Sequence, residues 1–141
     1  MNRDDKVEML RRVPLFSGCT SDELRQVTHL MTEVDVEAGH VLVREGAGTP
    51  EFFIIDEGTA SVTRHGKQIG SVGPGDFFGE ISIIDGGPRT ATVTATSQMR
   101  INVATHREFV GLLDSVPEIA RNLLPTLTRR IRDARAENQS D

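Results

Sequence analysis

The chain has 141 residues, which is enough for one ordinary domain and short for two. A single cysteine, Cys19, excludes an intrachain disulfide, and no apolar run reaches the roughly 20 residues that span a bilayer. A net charge of −5, without tryptophan or tyrosine, disfavours general nucleic-acid binding, and the N-terminus lacks a signal-like apolar segment. We therefore expect a cytoplasmic protein with no membrane segment.

Helices are predicted for residues 1–33. Residues 6–17 favour a short helix ending in "VPLF", where Pro14 stops it. A second helix is indicated by Thr20 and Glu23, whose spacing is that of a capping box. The apolar stripe that would bury one face of this helix is Leu24, Val27, Leu30 and Met31.

Short strands are predicted from residue 34 onward, because the apolar period changes to two. The segments are "VDVE", "HVLVR", "FFIID", "TASVTRH" and "QIGSV", and strands resume later with "TATVTATS" and "RINVAT". Glycine at nearly every corner between them favours an antiparallel β-barrel or jelly roll over residues 34–104.

The chain is predicted to become helical again over residues 105–137. Thr105 with Glu108, and Ser115 with Glu118, have the spacing of capping boxes. Each pair is therefore expected to start a helix.

The last helix contains two prolines and a short apolar seam. Pro117 is expected in its first turn, where proline is tolerated, and Pro125 is expected to kink the helix or split it in two. The spacing of the seam, alternately three and four residues, is that of a short coiled coil and indicates a homodimer contact. Its members are Leu124, Leu127, Ile131, Ala134 and Asn138.

The segment "FFGEISIIDGGPRTA", residues 77–91, combines a carboxylate, a guanidinium and several glycines. Pro88 stiffens the backbone before Arg89, whose planar fork matches a phosphate, and a helical turn after Glu80 would add main-chain N–H donors. A phosphate tolerates a neighbouring carboxylate only if Glu80 does another job, such as accepting a hydrogen bond from a hydroxyl of the same ligand. A cyclic ribose phosphate has both groups, so the segment predicts a nucleotide-sugar site. From spacing alone, a surface ion pair between Glu80 and Arg89 remains the alternative.

The stretch "GDFFGEISIIDGGPRTATVTA" closely resembles the phosphate-binding cassette of the cyclic-nucleotide-binding domain family, which includes catabolite-activator-type regulators, kinase regulatory subunits and gated channels. The resemblance extends to "PLFSGCTSDEL", "GHVLVREGAGTPEFFIIDEGTASV" and "PEIARNLLPTLTRRIRDA". The positions that match the cassette pattern are Phe78, Gly79, Glu80, Ile81, Ser82, Arg89, Thr90 and Ala91.

The resemblance implies a role for each of these positions. Glu80 would accept a hydrogen bond from the ribose 2′-hydroxyl, Arg89 would pair with the exocyclic phosphate oxygens, and Gly79 would permit a close approach of the ligand. Ile69 would contact the purine. The main-chain N–H donors to the phosphate would be those of Ile81, Ser82, Thr90 and Ala91.

The chain departs from the family pattern in its last helix. Bacterial activators of the family place a hydroxyl against adenine there, whereas the matching positions in this chain are Ala134 and Arg135. Arg135 either stacks on the purine as a cation–π lid or is solvated. Thr90 does not decide between adenine and guanine.

Other candidate sites are disfavoured. The four histidines are scattered, so no metal site or metal-dependent barrel enzyme is expected. Cys19 follows a glycine near a helix start, which favours a lowered pKa, but it has no catalytic partner in sequence. The cluster Arg129, Arg130, Arg132 and Arg135 is interleaved with acids and is typical of a solvated helix face.

The predicted fold is α+β and mainly β, a single domain over residues 1–141 whose C-terminal helices close over the ligand. The predicted function is a non-enzymatic sensor of cAMP that needs no cofactor and repositions these helices. The alternatives are a cGMP-preferring module cut from a larger protein and a ligand-free interaction domain of the same fold. No DNA-binding domain is expected, and the effector would be an unknown partner or a missing domain.

Overall fold

The computed structural model of the chain describes residues 3–47, 51–79 and 89–139. Within these ranges, the side chains of residues 3, 126, 130–131 and 133–139 lie outside the description. The described helices are α1 (Arg3–Arg11), α2 (Ser21–Leu30), α3 (His106–Ser115) and α4 (Pro117–Gln139), with a 3₁₀ turn at Pro14–Phe16.

The N-terminal helices agree with the sequence at one cap and differ at both ends of the first helix. Thr20 Oγ1 accepts a hydrogen bond from the Glu23 N–H at 3.1 Å, and the Glu23 carboxylate accepts one from the Thr20 N–H at 2.8 Å. The predicted capping box is therefore confirmed. The helix predicted for residues 6–17 is wrong at both ends, because α1 runs from Arg3 to Arg11 and Pro14 begins the separate 3₁₀ turn.

The C-terminal helices confirm one of the two predicted capping boxes. Thr105 Oγ1 accepts from the Glu108 N–H at 3.2 Å, and the Glu108 carboxylate accepts from the Thr105 N–H at 2.9 Å. The box predicted at Ser115 is wrong, since Ser115 is the last residue of α3 and the Val116 N–H still bonds to the carbonyl of Leu112.

The last helix is continuous. It begins at Pro117, as expected, and runs through Pro125 to Gln139. Of the two outcomes predicted for Pro125, the split into two helices is therefore wrong, and the kink stays a prediction. The reason is that a proline removes one main-chain hydrogen bond, whereas ending a helix leaves several carbonyls without donors.

The strands form two antiparallel four-stranded sheets, which confirms the predicted jelly roll. The first sheet has the order β1-β8-β3-β6 and the second has the order β2-β7-β4-β5. Strand β6 was not predicted, because it consists of only two residues in the glycine-rich segment. The bounds are β1 (Thr32–Val36), β2 (Val41–Val43), β3 (Glu51–Glu57), β4 (Ala60–Arg64), β5 (Lys67–Val72), β6 (Phe77–Phe78), β7 (Thr92–Ala95) and β8 (Met99–Thr105).

The centre of the first sheet, formed by β3 and β8, is buried on both faces, and alternation along β3 divides its side chains between two cores. Phe52 and Ile54 point outward and pack under the helices, where Phe52 stacks on Phe109 of α3 at 4.3 Å between ring centroids. Phe53 and Ile55 point inward and pack against the second sheet. Burial of a large apolar side chain stabilises a fold by roughly 1.5–3 kcal/mol, so β3 anchors both layers.

A buried polar network lies on the outer face of the first sheet. Asn102 donates from Nδ2 to Asp56 Oδ1 at 2.6 Å, and Lys6 of α1 donates from Nζ to Asn102 Oδ1 at 3.3 Å. Lys6 also pairs with Glu33 of β1 at 3.3 Å. Burial raises the pKa of Asp56, although its bond to Asn102 opposes that effect. The network ties α1 to β1, β3 and β8.

Candidate functional site

Arg89 is a buried cation just before β7, with 5% of its surface exposed. Its guanidinium donates from Nη2 to the carbonyl of Glu51 at 2.7 Å and from Nη1 to the carbonyl of Gly79 at 3.3 Å. These acceptors belong to the start of β3 and the residue after β6. The side chain that the sequence singled out is therefore fixed between two strands of the first sheet.

The main chain of Arg89 is held as firmly as its side chain. Its N–H donates to the carbonyl of Ala47 at 3.0 Å, and its carbonyl accepts from the N–H of Gly46 at 2.9 Å. The turn after β2 thus sets the position of the Arg89 backbone. Pro88, which was expected to stiffen this corner, lies outside the described residues.

An aromatic ring supports the guanidinium. The Arg89 Cζ lies 5.9 Å from the centroid of the Phe53 ring, within the range of a cation–π contact. Phe53 stacks in turn on Phe78, with 4.7 Å between ring centroids. Such a contact contributes roughly 0.5–2 kcal/mol, more when water is excluded. The sheet core therefore preorganises the cation.

Gly79 is required at its position by the chain itself. Its φ of +95° lies in the left-handed region, where a side chain is strained. A Cβ at this position would collide with the carbonyl oxygen of Glu51 and lie 2.8 Å from Nη1 of Arg89. The close approach that the structure shows is thus to Glu51 and Arg89, while an approach to a ligand stays a prediction.

Thr90 and Ala91 follow Arg89 at the surface of the barrel. Thr90 is exposed and Ala91 is half-buried. The carbonyl of Thr90 accepts a hydrogen bond from Arg64 Nε of β4 at 2.8 Å, which attaches this corner to the second sheet. This bond uses the carbonyl of Thr90, so it does not occupy the main-chain N–H of the same residue.

The remaining predicted site residues are placed only in part. Ile69 lies on β5, the edge strand of the second sheet, and exposes 42% of its surface. Glu80, Ile81 and Ser82 lie outside the described residues. The side chain of Arg135 also lies outside the description, although α4 includes its backbone. The pairing of Glu80 with Arg89 therefore stays a prediction.

The other candidates are weak in the structure as well. Among the described residues, no three histidine, cysteine, aspartate or glutamate side chains are grouped so that they could hold a metal. Burial, followed by Glu23 and Glu118, raises the pKa of the Cys19 thiol, so the proximity to a helix start does not activate it. In the part of the chain that is described, no helix has the length and apolar character needed to cross a membrane.

Sequence reasoning missed what holds Arg89 in place. Its supports are the carbonyl of Glu51, the ring of Phe53 and the turn at Gly46 and Ala47. Main-chain acceptors carry no sequence signal, because every residue has the same carbonyl. The paired phenylalanines of β3 are typical of a buried strand. The sequence does not show that they belong to two different cores, because that depends on the helices that cover the outer face.

Comparison with known proteins places the site in a family context. The family described as the cyclic nucleotide-binding domain matches residues 33–116. Over 130 residues, 89% of its length, the chain is 32% identical to a CRP-like cAMP-activated global transcriptional regulator of Mycobacterium tuberculosis, of which it covers 58%. Over 119 residues, 83% of its length, it is 30% identical to a cAMP-dependent protein kinase regulatory subunit of Yarrowia lipolytica, of which it covers 32%.

The fold is similar to a solved structure as well. The crystal structure of the Thermus thermophilus catabolite activator protein matches with a TM-score of 0.81 at 25% identity, and the match covers 89% of this chain and 62% of that one. The chain spans less than two thirds of the length of each of these three proteins.

Proposed function

The chain belongs to the cyclic nucleotide-binding domain family, and from this premise we propose that it is a non-enzymatic sensor whose preferred ligand is cAMP. The observation that carries the proposal is the buried, fixed guanidinium of Arg89 within the cassette. A guanidinium that is fixed in this way presents a planar fork of donors, which matches the exocyclic oxygens and the single negative charge of a cyclic phosphate.

The ligand contacts in this proposal are those that the cassette implies. Arg89 pairs with the exocyclic phosphate oxygens, and Glu80 accepts from the ribose 2′-hydroxyl. The main-chain N–H groups of Ile81, Ser82, Thr90 and Ala91 complete the anion site, and Gly79 lines it. The surface exposure of Ile69 supports a purine contact on β5, and Arg135 is the candidate for a second purine contact.

The preference for cAMP over cGMP rests on the relatives. Both relatives described above are named for cAMP, one as a transcriptional regulator and the other as a kinase regulatory subunit. Thr90 is compatible with either base. A cGMP preference is therefore the alternative that a direct comparison of the two nucleotides decides.

The output of the sensor is assigned to its C-terminal helices. In α3 and α4 the residues from Phe109 to Leu123 include five buried side chains that pack against the helical core: Phe109, Leu112, Val116, Ile119 and Leu123. Leu124, the next residue, exposes 62% of its surface. We propose that ligand binding repositions α4 and that its apolar seam, which begins at Leu124, contacts a second copy or an effector. The division into one cytoplasmic domain over residues 1–141 belongs to the same proposal.

Calorimetric titration of the chain with cAMP and with cGMP tests the ligand. We expect saturable binding of both, tighter for cAMP, and much weaker binding of 5′-AMP, which lacks the cyclic ester. If neither cyclic nucleotide binds, the chain is a ligand-free interaction domain of this fold and the proposal is wrong.

Hydrogen exchange tests the output. Binding of cAMP should change amide exchange in the segment after Pro117, with little change in α2, which serves as the internal reference. Identical exchange after Pro117 with and without bound cAMP would show a passive binder and contradict the sensor mechanism.

A further inference from the structure

A cavity of about 390 Å³ lies between the two sheets, along β1 and β2. These strands are the edge strands of the first and second sheet on the same side of the jelly roll, and no ladder joins them in the described sheets. The inner core therefore stays open along this seam. The apolar walls of the cavity are Val34, Val36, Leu42, Phe53, Ile101 and Val103.

The seam leaves inner-face side chains accessible. Val34 of β1 pairs with Ile101 of β8 and shares its inward face, yet Val34 exposes 37% of its surface while Ile101 exposes 2%. An apolar side chain on the inner face of a jelly roll is ordinarily covered. The cavity thus offers apolar surface that a guest could cover.

Two carboxylates lie at one end of the cavity, and His40, just before β2, also lines it. Glu51 lies opposite Thr105 in the ladder between β3 and β8, and both face inward with Phe53, two residues along. Glu108 at the start of α3 lines the same end. Within the described residues, Glu51 makes no ion pair. Two carboxylates at one end of an apolar cavity repel an anion and attract a cation.

We propose that this cavity is a second ligand site, which takes a small amphiphile with an apolar body and a cationic amine head. The volume falls within the roughly 300–1,000 Å³ of ordinary small-molecule sites, which suits a body of a few carbon atoms to a single ring. The acidic end excludes a second cyclic nucleotide, because its phosphate is negative.

The site is distinct from the cassette, but two of its lining residues contact Arg89 of the cassette. The carbonyl of Glu51 accepts from Arg89, and the Phe53 ring that forms a wall of the cavity also supports the Arg89 guanidinium. The proposal does not depend on cyclic-nucleotide binding, and its test is done without nucleotide, so that either proposal can fail alone.

Three probes of equal chain length test the charge preference: hexylamine, 1-hexanol and hexanoate. Each is titrated into the full chain while amide NMR shifts are recorded. Hexylamine should shift the amides of Val34, Leu42 and Val103, and should bind at least about fivefold tighter than hexanoate, the scale of one favourable surface ion pair. Equal affinity for the three probes, or shifts confined to other residues, overturns the proposal.

Two kinds of variant identify the residues responsible. The double variant Glu51→Gln/Glu108→Gln should abolish the preference for hexylamine over hexanol, and glutamine at residue 108 still suits the capping box. Val34→Phe fills the open end of the cavity and should weaken the binding of all three probes. Val110→Phe on α3, at a position with the same 37% exposure but outside the cavity, should leave their binding unchanged. A preference retained in the double variant, or binding unchanged in Val34→Phe, contradicts the site.

Discussion

Arg89 and Asp56 are both buried charged side chains attached to the first sheet, and the sheet accommodates them differently. Arg89 lies over the inward-facing Phe53 and donates to the carbonyls of Glu51 and Gly79. Asp56 lies on the outer face and accepts from the amide of Asn102. An arginine stays protonated at any ordinary pH, whereas an aspartate can be neutralised.

Burial affects the charge differently on the two faces of the first sheet. Burial raises the pKa of Asp56 and so favours its neutral form, whereas the bond from Asn102 and the charge of Lys6 favour the ionised form. Arg89 cannot become neutral, and the sheet instead places two main-chain carbonyls and an aromatic ring around its guanidinium. The proposed function uses the inner cation to bind an anionic ligand, whereas the outer acid has a structural role.

The largest expected effect is on ligand affinity at Arg89. Arg89→Leu should weaken cAMP binding by about 2–4 kcal/mol, the scale of charge-assisted hydrogen bonds to an ion, which is roughly a 30- to 1,000-fold rise in Kd. Calorimetry measures the change, and circular dichroism verifies that the variant is folded.

Two matched variants sharpen this test. Arg89→Lys keeps the charge and loses the planar fork, so it should weaken binding less than leucine does. Arg107→Leu removes an exposed arginine of α3 and should leave the affinity unchanged. If the Arg89→Leu chain is folded and binds cAMP with the affinity of the parent, Arg89 does not bind the phosphate, and the contrast with Asp56 fails.

A second effect concerns the close packing around the cation. Gly79→Ala should lower the free energy of unfolding by about 2–3 kcal/mol, because left-handed backbone costs roughly 1–2 kcal/mol and a Cβ also meets Glu51 and Arg89. Gly66→Ala has a similar φ of +78° but no neighbour within 4 Å, so it should lose only the backbone part. If urea denaturation gives the same loss of unfolding free energy for both variants, the contacts of a Cβ with Glu51 and Arg89 do not contribute to the loss at Gly79.

The outer acid should respond in the opposite direction. Asp56→Asn removes the buried charge and keeps an oxygen that accepts from Asn102, so the unfolding free energy should rise at pH 7. The rise should be less than about 1 kcal/mol, because the amide nitrogen replaces Oδ2 as an unsatisfied buried group.

The gain from Asp56→Asn should depend on pH with a definite sign. Since the folded-state pKa of Asp56 is raised, the parent chain is destabilised by ionisation as the pH rises through that pKa. The gain should therefore disappear as the pH falls below 3.8, the ordinary value for aspartate. The charged groups that act on Asp56 are Glu33, Lys6 and Arg100. A gain that does not change between pH 7 and pH 3 would contradict the assignment.

The smallest effect is expected at Lys6. Lys6→Met keeps the apolar stem against the sheet but loses the bonds to Asn102 and Glu33, so it should cost less than about 1 kcal/mol. The loss should be smaller in the Asp56→Asn background, because Lys6 favours the ionised form of Asp56. Lys67→Met, on exposed β5, is the control. Equal losses in both backgrounds would show that Lys6 and Asp56 are not coupled.

Local patterns predicted most of the elements correctly. The capping boxes at Thr20 and Thr105 formed as expected, because their bonds join residues three apart. The box at Ser115 did not form, since the preceding helix already included that residue. The period-two segments became strands, and only the two-residue β6 was too short to show a period.

The sequence by itself determined the strand and helix pattern, the jelly-roll class and the cassette in which Arg89 stands, because each depends on neighbouring residues. Only the tertiary structure decided what surrounds the buried charges. The Arg89–Glu51 bond joins residues 38 apart, and the Lys6–Asn102 bond joins residues 96 apart. Which carbonyl or amide meets a buried charge depends on strand register and helix docking, and any residue can supply a carbonyl.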